Sequence, residues 1–424
     1  MLMLRILKCL LVVLITAPGL FLSAQDTTQK IVAGRTNSAS VITKPYLLIV
    51  SIDGFRHDYA TRFNARNLLK FSEQGVRGAG IRPAFPSLTF PNHYTLATGM
   101  YPAHHGLVDN YFYDKAKKTG YAANRPNTIR DSSWYNGIPF WVLAEQSGML
   151  AACFYWVGSE AAIRGVRPTY NYNYNTSITA PTRVDIVQNW LNLPDSTRPH
   201  LISMYFSEVD NAAHVYGADA PQVGKAVQYI DSIIGLLASA VAETGVNVNF
   251  IVLSDHGMTT VDNENPMRLP AEIDTSKFIV PRGDALLQVY AKQHGDIMPL
   301  YRILRKTAVG YTPYLKRNLP RRWKYGGKND RFNRVGDIVL VARAPKVFNT
   351  NYSVVDRGKH GFDPAMDDML AGFFAWGPAF KKGITINRFE NIHIYPLVAH
   401  LLDLQYNHPI DGRLKVLKGI LAIN

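Results

Sequence analysis

Three short apolar segments of this chain each end on an aspartate, and these carboxylates are its clearest candidates for chemistry. The aspartates and the segments before them are Asp53 after YLLIVSI (46–52), Asp210 after LISMYFSEV (201–209) and Asp255 after NFIVLS (249–254). Each segment is short, rich in β-branched or aromatic residues and without helical periodicity, which predicts a buried parallel strand. Because ligands of open α/β sheets bind beyond the carboxyl ends of the strands, we expect the carboxylates to converge. Such a cluster is stable only around cations, so it predicts a metal site.

Three histidines extend this candidate set. His214 follows Asp210 by four residues, a spacing that places both side chains on one face of a helical turn. His256 directly follows Asp255, and His360 lies in a loop between two glycines. Imidazoles mixed with carboxylates, with no cysteine among them, suit zinc, although the pattern does not exclude manganese or iron. Six ligands are too many for one tetrahedral ion and about right for two.

Thr89 is the candidate nucleophile. It lies in the segment PSLTFPNHY (86–94), where Pro91 fits the first turn of a helix that runs toward Gly99. A hydroxyl just before a helix N-terminus is placed where backbone N–H groups and the helix dipole favour a phosphate. Metal coordination is one of the few ways to activate such a hydroxyl. The simpler interpretation, a threonine that only caps the helix, stays open at this point.

Strands alternate with helix-length segments from residue 45 onward. The segments are predicted strands at 46–52, 150–157, 201–209, 249–254 and 370–376, and predicted helices at 64–74, after Pro91, and at 183–193, 222–243 and 392–402. This alternation predicts an α/β fold with a mostly parallel central sheet and helices on both faces. The pattern loosens between roughly 275 and 345, which we interpret as a small inserted cap.

The N-terminus is typical of an export signal. Residues 1–24 combine basic residues, a broken apolar run and small residues before Gln25, as in a cleaved signal peptide; an uncleaved anchor is the alternative. Residues 25–44 form a polar leader, and residues 45–424 the domain. Beyond the signal only Cys153 remains, so no intramolecular disulfide is possible. We therefore expect a periplasmic or secreted bacterial protein with no transmembrane segment in its mature chain.

The chain is strongly basic, with a formal charge of +14 and a pI near 9.6. Much of the excess lies in residues 302–334, which hold eleven Lys or Arg and one acidic residue. Such a segment could attract nucleic acid or anionic lipid. It could equally be a solvated surface or attract phosphate-bearing substrates, and we expect no stable nucleic-acid complex.

Several long motifs, in order, resemble the nucleotide pyrophosphatase/phosphodiesterase family of the alkaline phosphatase superfamily. The motifs are SIDGFR (51–56), PSLTFPNHYTLATGMYPAHHG (86–106), WVGSE (156–160), YFSEVDNAAH (205–214), SDHGM (254–258), YLKRNLPRRWKY (314–325) and KHGFD (359–363). The resemblance covers nearly everything from Pro45 to the C-terminus. It implies an alkaline-phosphatase-like fold for the whole of 45–424, as a single phosphodiesterase domain of the bacterial type.

The resemblance also implies a ligand set and roles for individual residues. It implies two zinc ions, one held by Asp210, His214 and His360, and the other by Asp53, Asp255, His256 and the hydroxyl of Thr89. Asn110 falls where the family uses an asparagine to hydrogen-bond a non-bridging phosphate oxygen.

The implied mechanism is a two-step in-line displacement. The Thr89 alkoxide attacks phosphorus while the other zinc ion steadies the leaving oxygen, and water then cleaves the phospho-threonine. Asn110 and the helix amides would stabilise the equatorial oxygens.

Three aromatic residues match positions where family members stack a nucleotide base: Phe90, Tyr174 and Tyr205. Without the resemblance, buried core residues would be the default interpretation. Tyr172 could take the place of Tyr174, because the repeated Asn-Tyr there makes the alignment ambiguous. Four further histidines near the motifs, at 57, 93, 104 and 105, are interpreted as structural or surface residues.

The leading function is therefore zinc-dependent hydrolysis of nucleotide phosphodiesters or pyrophosphates, with release of 5′-nucleotides. The alternative within the family is a phospholipase-C-like enzyme that acts on choline-containing lipids or glycerophosphocholine, since both would share the metal site. A phosphomonoesterase is a third possibility, and a non-catalytic binding protein of the same fold a fourth. In each enzymatic case the partner is a small phosphate-bearing molecule.

Overall fold

A computed structural model describes residues 26–422, so the predicted signal peptide lies outside the described residues. Its centre is a nine-stranded sheet. From one edge to the other its strands are Lys30–Ile31, Tyr170–Tyr172, Ala151–Phe154, Leu201–Phe206, Tyr46–Ile52, Val248–Leu253, Phe373–Trp376, Val76–Gly78 and Ile384–Ile386.

The three strands that precede the aspartates in the chain are neighbours at the middle of this sheet. Tyr46–Ile52 pairs in parallel with Leu201–Phe206 on one side and with Val248–Leu253 on the other. Ser51 lies opposite both Tyr205 and Leu253, so the three carboxyl ends finish at the same level. This register is what brings the residues that follow each strand to one place.

Most of the sheet is parallel, as predicted. The returning strand Phe373–Trp376 runs antiparallel to both of its neighbours, and the first strand also pairs antiparallel. Three predicted strands are shorter than expected: those predicted over 150–157, 201–209 and 370–376 span Ala151–Phe154, Leu201–Phe206 and Phe373–Trp376. As a result Asp210 lies not at a strand end but in the first turn of helix Glu208–Tyr216.

Helices cover both faces of the sheet. Alternate residues of strand Tyr46–Ile52 enter different apolar cores, with Leu47 and Ile49 on one face and Leu48 and Val50 on the other. The helices that pack on the Leu47 face are Thr89–Thr98, Phe140–Gln146 and Ile394–Leu401. The opposite face packs helices Arg66–Glu73, Ala180–Leu191, Glu208–Tyr216 and Pro221–Glu243.

Within the described residues, Pro221–Glu243 is the one helix long and apolar enough to span a membrane by length and composition. Ten of its residues are buried inside the fold. Its apolar character is therefore accounted for by packing on the sheet.

A second, four-stranded antiparallel sheet lies within the segment for which we predict a cap. Its strands are, in spatial order, Phe278–Ile279, Leu286–Ala291, Ile338–Ala342 and Tyr311–Leu315. Leu287 and Leu340 face a small core beneath helix Ile297–Thr307, whereas Leu286 and Val339 join the large core of the main sheet. The cap is thus packed directly onto the body of the molecule.

Short elements complete the chain. They are the one-turn helices Tyr59–Arg62, Pro102–His105 and Pro126–Ile129, the hairpin Tyr111–Asp114 and Thr119–Ala122, and the paired strands Ile81–Arg82 with Phe389–Glu390 and Thr259–Thr260 with Gly358–Lys359.

The cationic residues of the basic segment 302–334 differ in their surroundings. Nine of its eleven cationic residues are exposed, and Lys316 is half-buried. Arg334, by contrast, is 3% exposed and donates to Asp114 Oδ2 at 2.9 Å and to the carbonyl oxygens of Gly106 and Trp134. It fastens the end of the cap segment to the hairpin that follows Asn110.

We predict that Asp114→Ala destabilises the fold by about 3–5 kcal/mol, because it leaves the buried Arg334 guanidinium without its carboxylate. Chemical denaturation measures this free energy of unfolding. The matched control is Asp262→Ala, which breaks a partly exposed ion pair with Lys346 and should cost less than about 1 kcal/mol. Equal losses in the two variants would contradict the structural role of Arg334.

Candidate metal centre and active site

The three carboxylates meet beyond the carboxyl ends of the central strands. Asp53 and Asp255 follow their strands within two residues, and Asp210 approaches from its helix. The approach depends on Gly54, which has φ +65° and whose missing Cβ would lie 3.0 Å from Asp210 Oδ1. A larger residue there would push the carboxylates apart.

Asp210, His214 and His360 form the first of two ligand groups. One potential ligand atom from each lies within 4.8 Å of the others. His214 Nε2 is 3.3 Å from Asp210 Oδ2, and His360 Nε2 is 3.8 Å from Asp210 Oδ1. The i, i+4 spacing of Asp210 and His214 falls within one helix.

Asp53, Asp255 and His256 form the second group on the same 4.8 Å criterion. His256 Nε2 lies 3.4 Å from Asp53 Oδ1 and 3.1 Å from Asp255 Oδ2. The two groups adjoin, since the rings of His256 and His360 stack with centroids 3.7 Å apart. The structure therefore brings together all six aspartates and histidines that the sequence predicts as metal ligands.

Each of the three histidines has its Nδ1 beside a backbone carbonyl oxygen. The distances are 2.8 Å from His214 to Gly358, 2.9 Å from His360 to Ser87 and 2.9 Å from His256 to Gly257. Donation by Nδ1–H fixes the tautomer and leaves the Nε2 lone pair facing the carboxylates, which is the arrangement of metal-ligating histidines.

The donor chemistry fits divalent cations. Asp53 Oδ1, Asp210 Oδ1 and Asp255 Oδ2 are buried and accept no hydrogen bond, a costly state unless another positive group satisfies them. Burial, and then the charges of Asp255 and Asp210, raise the pKa of Asp53 well above its usual range. Burial and the neighbouring imidazoles hold the pKa of His360 well below its usual value, in the neutral form that binds metals.

Thr89 lies beside the second group. Its Oγ1 is 3.1 Å from His256 Nε2, within reach of an ion that His256 would hold. The predicted helix after Pro91 begins at Thr89 itself and runs to Thr98. The Thr89 hydroxyl therefore lies at the positive end of a ten-residue helix, next to the carboxylates.

Asn110 reaches the same helix end from the turn before the hairpin. Its Oδ1 accepts from the Phe90 N–H at 3.1 Å, so its amide NH₂ remains available to a ligand. The Phe90 amide and Asn110 thus adjoin at the helix end, where the sequence predicts that both contact phosphate oxygens.

An apolar cavity of about 490 Å³ opens beside Thr89. Its lining includes all three residues predicted to contact substrate: Phe90, Tyr174 and Tyr205. Tyr174 is 49% exposed to solvent. Tyr172, the alternative to Tyr174, instead packs into the core against Phe154 with ring centroids 4.6 Å apart.

Sequence reasoning missed several residues of this cavity. Tyr155, Trp156 and Glu160 line it, and two of them belong to the WVGSE motif. Glu160 is already engaged: Oε2 accepts from Arg130 at 2.9 Å, and Oε1 accepts from the Tyr174 N–H at 3.0 Å. Tyr205 has a second contact that was not foreseen, because its hydroxyl donates to Asp53 Oδ2 at 2.6 Å.

His93, which we interpret from the sequence as a structural or surface residue, lies beside both Thr89 and Asp255. Its ring is fully buried, and Nδ1 lies 2.9 Å from the Thr89 carbonyl oxygen and 3.2 Å from Asp255 Oδ2. The signal was its position four residues after Thr89 in one helix. His57 and His104 lie outside both ligand groups, and His105 is buried beside Thr95.

Known proteins similar to this chain belong to one family. Residues 47–363 match the model of the family described as type I phosphodiesterase / nucleotide pyrophosphatase. An uncharacterised pyrophosphatase/phosphodiesterase of Schizosaccharomyces pombe is 33% identical over 93% of this chain and 84% of its own length.

Further relatives are longer. Ectonucleotide pyrophosphatase/phosphodiesterase family member 3 of Bos taurus is 32% identical over 85% of this chain, which spans 42% of that protein. A solved structure of murine ectonucleotide pyrophosphatase/phosphodiesterase 5, an inactive Thr-to-Ala variant in complex with AMP, has a TM-score of 0.84 at 29% identity. It matches 89% of this chain and 100% of its own. The predicted family and fold class are confirmed.

We predict that zinc raises the melting temperature of the wild-type protein, since a ligand that binds only the folded state stabilises it by about 2.7 kcal/mol at 100 times its Kd. In Asp53→Asn, the melting temperature of the metal-free protein and the size of the zinc-induced shift should not change in the same direction. It relieves carboxylate repulsion, so the metal-free melting temperature should hold or rise, while the zinc-induced shift should shrink.

Differential scanning calorimetry with and without a chelator makes this measurement. His104→Ala serves as the control, because it removes a partly buried histidine outside both ligand groups. A zinc-induced shift of the same size in all three proteins would contradict the assignment of the ligand groups.

Proposed function

This chain belongs to the type I phosphodiesterase / nucleotide pyrophosphatase family, and from that premise we propose that it hydrolyses nucleotide phosphodiester and pyrophosphate bonds with release of 5′-nucleotides. The observation that carries the proposal is the position of Thr89. Its hydroxyl lies at a helix N-terminus, 3.1 Å from His256 Nε2 and at the mouth of an aromatic-lined cavity.

The relatives support the same function. The murine structure joins inactivity to replacement of a threonine and holds AMP, which suits a threonine nucleophile and a nucleoside monophosphate product. The yeast protein, which this chain matches over most of both lengths, is described as a pyrophosphatase/phosphodiesterase.

We propose zinc as the metal and two ions as the number. One group offers a carboxylate with two imidazoles, and the other two carboxylates with one imidazole. Each is a three-residue set with a position to spare, the pattern of catalytic zinc. When bound there, divalent cations would offset the carboxylate charges and lower the pKa of a coordinated hydroxyl or water.

In the first step Thr89 Oγ1 attacks the phosphorus atom in line with the leaving oxygen. The Thr89–phosphorus bond forms as the bond to the leaving group breaks, the hydroxyl proton passes to solvent, and the nucleoside monophosphate stays on Thr89. Asn110, whose oxygen is held by the Phe90 amide, directs its NH₂ group to a non-bridging oxygen. Tyr205 orients Asp53 through its hydroxyl.

In the second step a water molecule attacks the same phosphorus atom from the side that the leaving group has vacated. The bond to Thr89 breaks, its hydroxyl is restored, and the 5′-nucleotide leaves. The helix N-terminus favours the negative charge on the phosphoryl oxygens throughout.

The cavity beside Thr89 favours a nucleoside over choline. Phe90, Tyr174 and Tyr205 supply ring faces for a planar base. A quaternary ammonium can also bind over such rings, and an unpaired carboxylate nearby would add to its attraction. Glu160, the carboxylate of this cavity, is paired with Arg130 and the Tyr174 amide, which favours a neutral base.

We predict that Thr89→Ala folds and binds zinc like the wild type but loses at least about 1,000-fold in kcat, equivalent to about 4 kcal/mol of transition-state stabilisation. The assay is hydrolysis of thymidine 5′-p-nitrophenyl phosphate. Thr89→Ser, which keeps the hydroxyl, is the matched control and should retain measurable turnover. Activity of Thr89→Ala within tenfold of wild type would rule out a nucleophilic role.

We also predict a strong preference for thymidine 5′-p-nitrophenyl phosphate over p-nitrophenyl phosphorylcholine. Phe90→Ala should lower kcat/KM for the thymidine ester by about 5- to 150-fold, because base–aromatic stacking contributes about 1–3 kcal/mol. Tyr113→Ala, in the hairpin and outside this cavity, controls for loss of a ring elsewhere. A preference for the choline ester would move the enzyme to the phospholipid branch.

A further inference from the structure

Gln288 is a buried polar residue of the cap, in strand Leu286–Ala291. Leu287 and Val289 of this strand face the small core of the cap, whereas Leu286 joins the large core of the main sheet. Because side chains alternate along a strand, Gln288 lies on the face of Leu286 and is directed at the body of the molecule. Gln288 is 2% exposed, so its amide group must find its hydrogen-bond partners within the protein.

The oxygen and the nitrogen of the Gln288 amide both have such partners. The Gly336 N–H donates to Oε1 at 2.9 Å, which fixes the orientation of the amide group. Nε2 donates to Asp109 Oδ2 at 2.9 Å and to the Tyr325 hydroxyl oxygen at 3.1 Å. The Tyr325 hydroxyl in turn donates to the Val108 carbonyl oxygen at 2.7 Å. The cap therefore binds two consecutive residues of the body.

These two residues, Val108 and Asp109, directly precede Asn110, whose NH₂ group binds a phosphoryl oxygen in the proposed mechanism. Asp109 Oδ1 also accepts from the Tyr111 N–H at 3.2 Å, so the Asp109 carboxylate links the cap to the residue on the other side of Asn110. The side-chain oxygen of Asn110 accepts from the Phe90 N–H at 3.1 Å. The direction of its NH₂ group therefore depends on where the turn 108–111 places the Asn110 backbone.

The Asp109 carboxylate is held in place by its donors against the effect of burial. Asp109 is 5% exposed. Burial raises its pKa to about 7, while the hydrogen bonds from Gln288 and from the Tyr111 N–H lower it. When the carboxylate is ionised, its hydrogen bonds are about twice as strong as those between neutral groups. The contact between Gln288 and Asp109 is thus suited to fix the position of the turn.

Resting on the proposed function, we propose that Gln288 and Tyr325 are positioning residues for Asn110. They hold the turn 108–111 so that the Asn110 NH₂ group meets the phosphoryl oxygen, and neither lines the apolar cavity beside Thr89. The cap then has a defined role in the reaction, which is to set the geometry of this one contact. Precision matters there, because a displacement of about 1 Å in a reacting site can lower the rate by about 100-fold.

A double-mutant cycle assayed on thymidine 5′-p-nitrophenyl phosphate tests this role. Asn110→Ala should lower kcat/KM by about 100- to 1,000-fold, as expected for loss of one donor to the phosphoryl oxygens. Gln288→Leu, which removes the amide group, should lower it by about 10- to 100-fold. In the Asn110→Ala background, Gln288→Leu should lower kcat/KM by less than about twofold, because no Asn110 amide is left to position.

Tyr325→Phe is the second and milder variant, since Gln288→Leu takes a donor from a buried carboxylate and can unfold the protein. It keeps the ring and removes the hydroxyl that binds Val108. It should lower kcat/KM by about two- to tenfold, the equivalent of one hydrogen bond between neutral groups, and only when Asn110 is present. The control is Tyr170→Phe, because the Tyr170 hydroxyl also donates to a backbone carbonyl oxygen, that of Thr197 at 2.9 Å, but near one edge of the main sheet. Tyr170→Phe should leave kcat/KM unchanged.

The zinc-induced shift in melting temperature should be kept in all these variants, since neither Gln288 nor Tyr325 belongs to a ligand group. Unchanged kcat/KM in Gln288→Leu or Tyr325→Phe would overturn the positioning role and leave the nucleotide phosphodiesterase function intact. The same fold loss with and without Asn110, or loss of the zinc-induced shift, would do the same. A wild type that does not hydrolyse the thymidine ester would overturn the proposed function itself, and the positioning role with it.

Discussion

Three carboxylates buried beyond the carboxyl ends of adjacent strands repel one another, and the architecture of the site follows from how that repulsion is offset. Parallel register places Asp53 and Asp255 at one level, and Gly54 allows Asp210 to approach within contact distance. Three imidazoles donate Nδ1–H to backbone carbonyl oxygens. They therefore turn Nε2 lone pairs, and not N–H groups, toward the carboxylates. The protein alone does not neutralise this cluster, which is why it is suited to bind cations.

The same constraint bears on where Thr89 lies and on the two cavities beside the ligand groups. Thr89 starts a helix whose positive end faces the carboxylates, so both the helix and any bound cation favour an anionic phosphoryl group there. An aromatic-lined cavity borders Thr89, and a smaller, polar cavity borders His214 and His360. Both cavities therefore adjoin the residues predicted to bind metal.

How much of this was predictable depends on how local each signal is. Asp53 and Asp255 follow directly from apolar strands, and the i, i+4 spacing of Asp210 and His214 survives even though the strand before them ends earlier than predicted. The seven residues that the sequence predicts as metal ligands lie together in the structure. The family resemblance supplied the pairing of ligands, which spacing alone left open.

Contacts across the fold were not predictable. The Tyr205 hydroxyl reaches Asp53 because the strands that lead to them are paired. The sequence of neither strand predicts which strand it pairs with. Arg334 lies in a run of exposed cations yet is buried against Asp114, 220 residues away in the chain. Arg282 of the cap lines the same cavity as His214 and His360 only because the cap packs onto the body. Each of these depends on long-range packing, for which neither composition nor periodicity carries a signal.

The central claim is that the carboxylate cluster holds two cations beside Thr89, and anomalous diffraction at the zinc edge from crystals of zinc-loaded protein tests it most directly. The account predicts two peaks, one within about 2.0–2.2 Å of ligand atoms of Asp210, His214 and His360 and one at the same range from Asp53, Asp255 and His256. A single peak, or peaks only at other residues, would contradict it.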